Sequence, residues 1–148
     1  MTDVEFFKLQ SKNFYKDVKT IYLDKEYGYD FKPKYFEDIY NILYDWEFYP
    51  SQIGDGTIKF SLMKAQHVIA QIVGCRNWSD LINSSKEKLE LKRSLLEHID
   101  KMFYNGSWEE PFIQSWLDYE RLYLKGFDDF TKLQIYKYTF LKNKTVLN

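Results

Sequence analysis

Hydrophobic residues recur at helical intervals along most of the chain, and residues 58–82 show it most clearly. Leu62, Ala65, Ile69, Ile72 and Val73 fall three or four apart, and Val68 widens the same stripe. That is the 3.6-residue period of a helix with one buried face. Ser61 stands where a hydroxyl can cap the first turn. Gly74 follows the last periodic residue, where a left-handed helix end costs glycine least. Asn77 can cap a second, short helix, with Asp80 in its first turn and Trp78, Leu81 and Ile82 as its apolar face. The small Ala65 and Ala70 leave room for another element to come close. The expectation is a helix, a corner at Gly74 and a second helix.

The same periodicity extends to both sides. Val4, Phe7, Phe14, Val18, Ile21 and Tyr22 line a first helix running to about residue 27, with lysines 8, 12, 16 and 19 opposite. Residues 28–30 break it. Pro33 suits the first turn of the next helix, striped by Phe36, Ile39, Tyr40, Leu43 and Trp46 and ended by Pro50. Residues 51–59 read as the least helical stretch, with Gly54-Asp55-Gly56 as a bare turn. A phosphate-cradling loop would need a lysine, a serine and a preceding strand there, and a calcium loop would need an ordered series of ligands. Short strands stay open at 29–31 and 57–60. Ser84 and Glu87 form a capping-box pair for a long helix to about residue 104, with Leu89, Leu96 and Phe103 seven apart and Leu95, Ile99 and Met102 beside them. Fewer than three heptads favours core packing over a coiled coil. Ser107, Glu110 and Pro111 open a helix lined by Phe112, Trp116, Tyr119 and Tyr123. Gly126 ends it, and Asp128 or Asp129 starts a last one lined by Phe130, Leu133, Tyr136 and Phe140. The fold class expected is all-α: one domain over 1–148, six or seven helices, with the central helix-turn-helix hairpin as its hub.

Two resemblances attach to the central unit. Residues 66–82 resemble a repressor-type helix-turn-helix, with Ala70 and Gly74 at that motif's spacing. The motif wants an apolar residue six positions after its glycine, and Asp80 stands there. The second helix carries only Arg76 as a cation, where recognition helices usually make several phosphate or base contacts. The pattern Ser61, Ala65, Val68-Ile69-Ala70, Gly74, Trp78 and Leu81 is also similar to a segment of uncharacterised small bacterial helical proteins. It resembles, too, the start of some glyoxalase-superfamily proteins. Lys12-Asn13-Phe14-Tyr15-Lys16-Asp17 upstream and Lys88-Leu89-Glu90-Leu91 downstream extend the likeness over about two thirds of the chain. The resemblance implies a helical bacterial module and no activity. The βαβββ pattern and metal ligands of the glyoxalase fold are not visible.

Composition narrows the function classes. At 148 residues and 45% hydrophobic content the chain can bury a core. Thirteen Tyr, twelve Phe and four Trp are more aromatics than an interior of this size needs, so some tyrosines must lie half exposed. Tyr and Trp also make good interface anchors. A net charge of −1 gives no general attraction to nucleic acid. The exception is local: residues 132–148 carry four lysines and no acid, and interleave them with aromatics, as single-strand grooves do. Arg76, Lys137, Lys142 and Lys144 are therefore the residues a nucleic-acid reading would name. The single Cys75 allows no internal disulfide and fits a reducing compartment. Neither a secretory leader nor eighteen consecutive apolar residues is present, so the expectation is a cytoplasmic protein without a membrane partner.

Chemistry is thin. His67, His98 and Cys75 fit no metal-ligand spacing, and no nucleophile or dinucleotide fingerprint occurs. The reading is no enzyme, no cofactor and no metal. A non-enzymatic protein-interaction or regulatory module of a bacterial or phage-related system, with an unknown protein partner, is the functional expectation. Nucleic-acid binding through the hairpin or the C-terminal lysines is the alternative.

Overall fold

The computed structural model describes residues 1–23, 33–99 and 112–142. The architecture is all-α: eight α-helices and two π-helical turns occur among the described residues, and no strand. The chain divides into two compact units, Met1–Gln71 and Ile72–Asn148.

The first unit holds α1 (Asp3–Val18), the turn π1 (Lys19–Leu23), α2 (Ile39–Asp45), α3 (Pro50–Gly54) and α4 (Leu62–Ile72), whose last residue opens the second unit. A capping box starts α1: the Thr2 hydroxyl accepts from Glu5 N–H, and the Glu5 carboxylate accepts from Thr2 N–H. Phe7, Phe14 and Val18 are fully buried, as their spacing predicts. Phe14 meets Phe36 edge-on at 5.2 Å, and Phe60 gathers Phe14, Tyr15 and Phe48 around it. Ser61 caps α4 by accepting from Lys64 N–H, and Ala65, Val68, Ile69 and Ala70 are fully buried.

Three expectations fail here. Pro33 does not open the second helix, which begins only at Ile39. The reason is Asp17. Its carboxylate is 2% exposed and accepts the backbone N–H groups of Lys34, Tyr35 and Phe36 at 3.1, 2.9 and 2.8 Å. Those donors hold residues 34–36 as an irregular loop before α2 can start. Pro50 does not end that helix either; it is the first residue of α3. The stop is at Glu47, whose φ of 60° is left-handed. Phe48 N–H donates to Leu43 O at 2.8 Å and Glu47 N–H to Tyr44 O at 3.1 Å, which is a Schellman ending. The stretch 51–59 is thus partly helical, and 57–60 is not a strand. The candidate strand at 29–31 lies outside the described residues.

The second unit holds α5 (Trp78–Ile82), α6 (Lys86–Glu97), α7 (Phe112–Tyr123), α8 (Asp129–Ile135) and the turn π2 (Tyr136–Leu141). α6 packs on α7 and α8. Its buried face is broad: Leu89, Leu91, Lys92, Leu95 and Leu96. Trp116 and Tyr136 are fully buried and meet edge-on at 5.1 Å, and Phe140 closes on Trp116 at the same distance. The Tyr136 hydroxyl shares a 2.8 Å hydrogen bond with Ser94 Oγ. In both π turns a threonine hydroxyl, Thr20 or Thr139, donates to the carbonyl four residues back, where it competes with the helical ladder. The capping box expected of Ser84 and Glu87 does not form. Ser85 is the cap and accepts from Lys88 N–H, while the Ser84 hydroxyl donates back to Asp80 O. The helix expected to run to about residue 104 ends at Glu97, where His98 leaves helical geometry and its N–H donates to Leu95 O at 3.0 Å; the capping box at Ser107 lies outside the described residues.

Candidate functional site

Two surfaces of the second unit stand out, one polar and one apolar. The polar one begins at Gly74, whose φ of +87° turns the chain at the end of α4. A Cβ there would meet the end of the Leu117 side chain, which can move aside, so it is the positive φ that calls for glycine. Cys75 then points inward and Arg76 outward. Asn77 accepts Asp80 N–H at 2.8 Å and starts α5. The single turn of α5 brings Ser79, Asp80, Asn83 and Ser84 round to face the start of α6. Ser85 Oγ donates to Asp129 Oδ2 at 2.7 Å, which ties the first residues of α6 and α8 together.

These groups enclose a pocket of about 370 Å³ lined by Gly74, Cys75, Arg76, Ser79, Asp80, Asn83, Ser84, Ser85, Lys88 and Asp129. Several polar groups are already engaged: Ser84 with Asp80 O, Ser85 with Asp129, and Asn83 Nδ2 with Ser79 Oγ. The Asp80 carboxylate and the Lys88 ammonium are not; neither has a hydrogen bond or ion pair among the described residues. Cys75 lines the floor. Burial pushes its thiol above the ordinary value, against the pull of Lys92 and Lys88, so it stays a neutral thiol near pH 7. That is the state of a small apolar group and not of a nucleophile. Lys92, one turn beyond Lys88, is 2% exposed. Burial lowers its pKa and Glu120 draws it back up. Glu120 is also 3.6 Å from Lys132 Nζ.

The apolar surface is the corner where α7 meets α8. Leu122, Tyr123, Phe127 and Phe130 are 59, 66, 49 and 60% exposed. The spacing assigns Tyr123 and Phe130 to buried stripes. Both are exposed, while Leu133, from the same predicted stripe as Phe130, is buried at 5%, and Leu124, outside any predicted stripe, is buried at 3%. Tyr123 keeps one partner, Tyr119, at 5.1 Å between ring centres. The first unit exposes Tyr35, Tyr40, Tyr44 and Tyr49, with Tyr44 edge-on to Tyr49 at 5.7 Å.

The residues named for nucleic acid are not gathered into a cationic groove by any described contact. Arg76 lines the polar pocket. Lys137 Nζ is 3.0 Å from the Glu90 carboxylate. Lys142 is exposed at the end of π2, and Lys144 lies outside the described residues. α5, the would-be recognition helix, has five residues, about 7.5 Å of helix. His67 is exposed on α4; His98 Nδ1 donates to Ser94 O at 2.7 Å, with its ring 5.0 Å from that of Phe112. Among the described residues no three of His, Cys, Asp and Glu are placed to hold a metal ion, and no helix is long and apolar enough to cross a membrane. Sequence reasoning reached Arg76 through the hairpin but missed the pocket. Its other walls come from the start of α6 and of α8, brought together across 44 residues, where Ser85 donates to Asp129.

No family model, curated protein or solved structure matches the chain. The functional reading rests on the geometry above.

Proposed function

We propose that the chain is a non-enzymatic protein-interaction module whose docking point is the α7–α8 corner. One observation carries this: Leu122, Tyr123, Phe127 and Phe130, four large apolar side chains within nine residues, are all about half exposed or more. Single exposed apolar residues are ordinary, but a cluster rimmed by polar groups marks an interaction site. Arg121, Asp118, Lys125 and Asp128 supply the polar rim. Leucine and aromatic anchors of this kind seat in an apolar cleft on a partner and exclude water there.

The chemistry beside it supports binding over catalysis. Cys75 is held neutral, and the His98 ring is engaged with a carbonyl and a phenylalanine. For nucleic acid the support is weaker, because Lys137 and Lys132 each stand beside an acid of this chain. The test is affinity capture from the cell of origin with wild type and with a Leu122→Asp/Phe130→Asp double variant. A specific protein retained by wild type and lost from the variant supports the reading. Equal recovery by both, or none by either, refutes it. A salt titration with single-stranded DNA separates the alternative, since a phosphate-driven complex weakens steeply as salt rises.

A further inference from the structure

The polar pocket is independent of the apolar corner and calls for its own occupant. Its wall carries two cations, Arg76 and Lys88, and two anions, Asp80 and Asp129. An anion-binding site would not set two carboxylates against its ligand, and a cation site would not set an arginine and a lysine there. Asp129 is accounted for by its bond from Ser85, and Arg76 has an interaction of its own. Asp80 and Lys88 are left, opposite in sign, lining one cavity and without a described partner for either. They have not collapsed into a salt bridge. Each is held by its own helix: Asp80 in the first turn of α5 behind the Asn77 cap, Lys88 in the first turn of α6 behind the Ser85 cap. The remaining lining is small and hydrogen-bonding, from Ser79, Asn83 and Ser84, with no large apolar side chain to receive a hydrophobic group.

We infer that this pocket binds a small zwitterion of the free amino-acid class, its carboxylate on Lys88 and its ammonium on Asp80. A volume of about 370 Å³ holds such a molecule with some water. The polar lining favours a short polar side chain over an aliphatic or aromatic one.

The test uses the full chain, isotope-labelled, titrated with L-serine and L-glutamine as probes while backbone amide shifts are followed. Inorganic phosphate and ethylammonium serve as single-charge controls. Saturable shifts at Arg76, Asn83 and Lys88 with an amino acid, and none with either control, support the inference. Lys88→Gln and Asp80→Asn should each weaken the amino acid about tenfold, the worth of one charge-assisted hydrogen bond. Both residues are on the surface side of their helices, and unchanged circular dichroism shows that the variants fold. Absence of saturable shifts with both amino acids overturns the inference. So does phosphate competing as well as the amino acid, a result wild type gives without any variant.

Discussion

Removing the Asp17 carboxylate should release the loop before α2 and cost far more than a typical polar substitution. Asp17 sits on α1 among lysines, yet it is 2% exposed and takes three backbone N–H bonds. The three donors are not equivalent. Lys34 and Tyr35 are exposed residues, so water can reach their amides once the carboxylate is gone. Phe36 is 3% exposed, packed edge-on to Phe14, and its amide has no such route. For Asp17→Ala we expect about 1–3 kcal/mol from the orphaned Phe36 amide and roughly 1 kcal/mol for each of the others. The total is about 3–5 kcal/mol. Asp17→Asn keeps one oxygen, and Oδ2 alone serves Tyr35 and Phe36. It should therefore cost about half as much. Urea unfolding followed by circular dichroism is the assay. With a slope of about 1–3 kcal/mol per molar, the alanine variant's midpoint should fall by about 2 M. Hydrogen exchange should show the Phe36 amide losing protection first. An alanine variant within about 1 kcal/mol of wild type, with Phe36 still protected, would refute the argument that Asp17 organises this loop.

Glu47 offers the opposite case: a glutamate at φ 60° in a Schellman ending should yield about 1 kcal/mol of added stability on Glu47→Gly, read as a higher unfolding midpoint. Lys92→Met should stabilise the chain at neutral pH, by about 1–4 kcal/mol, because it removes a buried ammonium without a described ion pair and keeps the packing. The pH sign follows from the lowered lysine pKa. Wild type should gain stability as pH rises toward 10.5, and the methionine variant should lack that gain. Tyr136 acts the other way: burial pushes its hydroxyl up to about 12, against the Ser94 bond, so its stabilisation is complete below pH 10 and lost as pH climbs to 12. That loss is about 2–3 kcal/mol; thermal melts of wild type and Tyr136→Phe across this range should diverge by that much, and parallel curves would sink the assignment.

Helical stripes were legible where both faces of the argument agreed. Phe7, Phe14, Ala65, Val68 and Ile69 are buried where spacing puts them, and Ser61, Gly74 and Asn77 act as the caps and corner that their chemistry predicts. The failures have one physical origin. Spacing ranks positions by their own polarity, whereas Asp17 and Lys92 are buried by what surrounds them. Asp17 is drawn in by three amides 17 to 19 residues away. Pro33 therefore sits in a loop, and a rule that reads proline as a helix start had no access to the carboxylate that prevents it. Ser84 and Ser85 show the same limit on a finer scale. Both can cap, and the choice falls to Ser85 because its hydroxyl also reaches Asp129 on α8.

The two surfaces of the second unit follow from that same dependence on distant partners. α7 and α8 meet at Gly126, with φ +93°, and a helix leaving a corner turns each of its sides toward something different. Leu124 and Leu133 are buried, while Tyr123 at the end of α7 and Phe130 in the first turn of α8 stay exposed despite their apolar character. The cap at Asp128, which accepts Thr131 N–H at 2.8 Å, fixes how α8 begins. The bond from Ser85 to Asp129 fixes where it begins. The long-range bond thus holds Asp129 at the polar pocket. Substituting Ser85 by alanine would loosen the pocket, whereas the corner's apolar side chains can be changed without touching it.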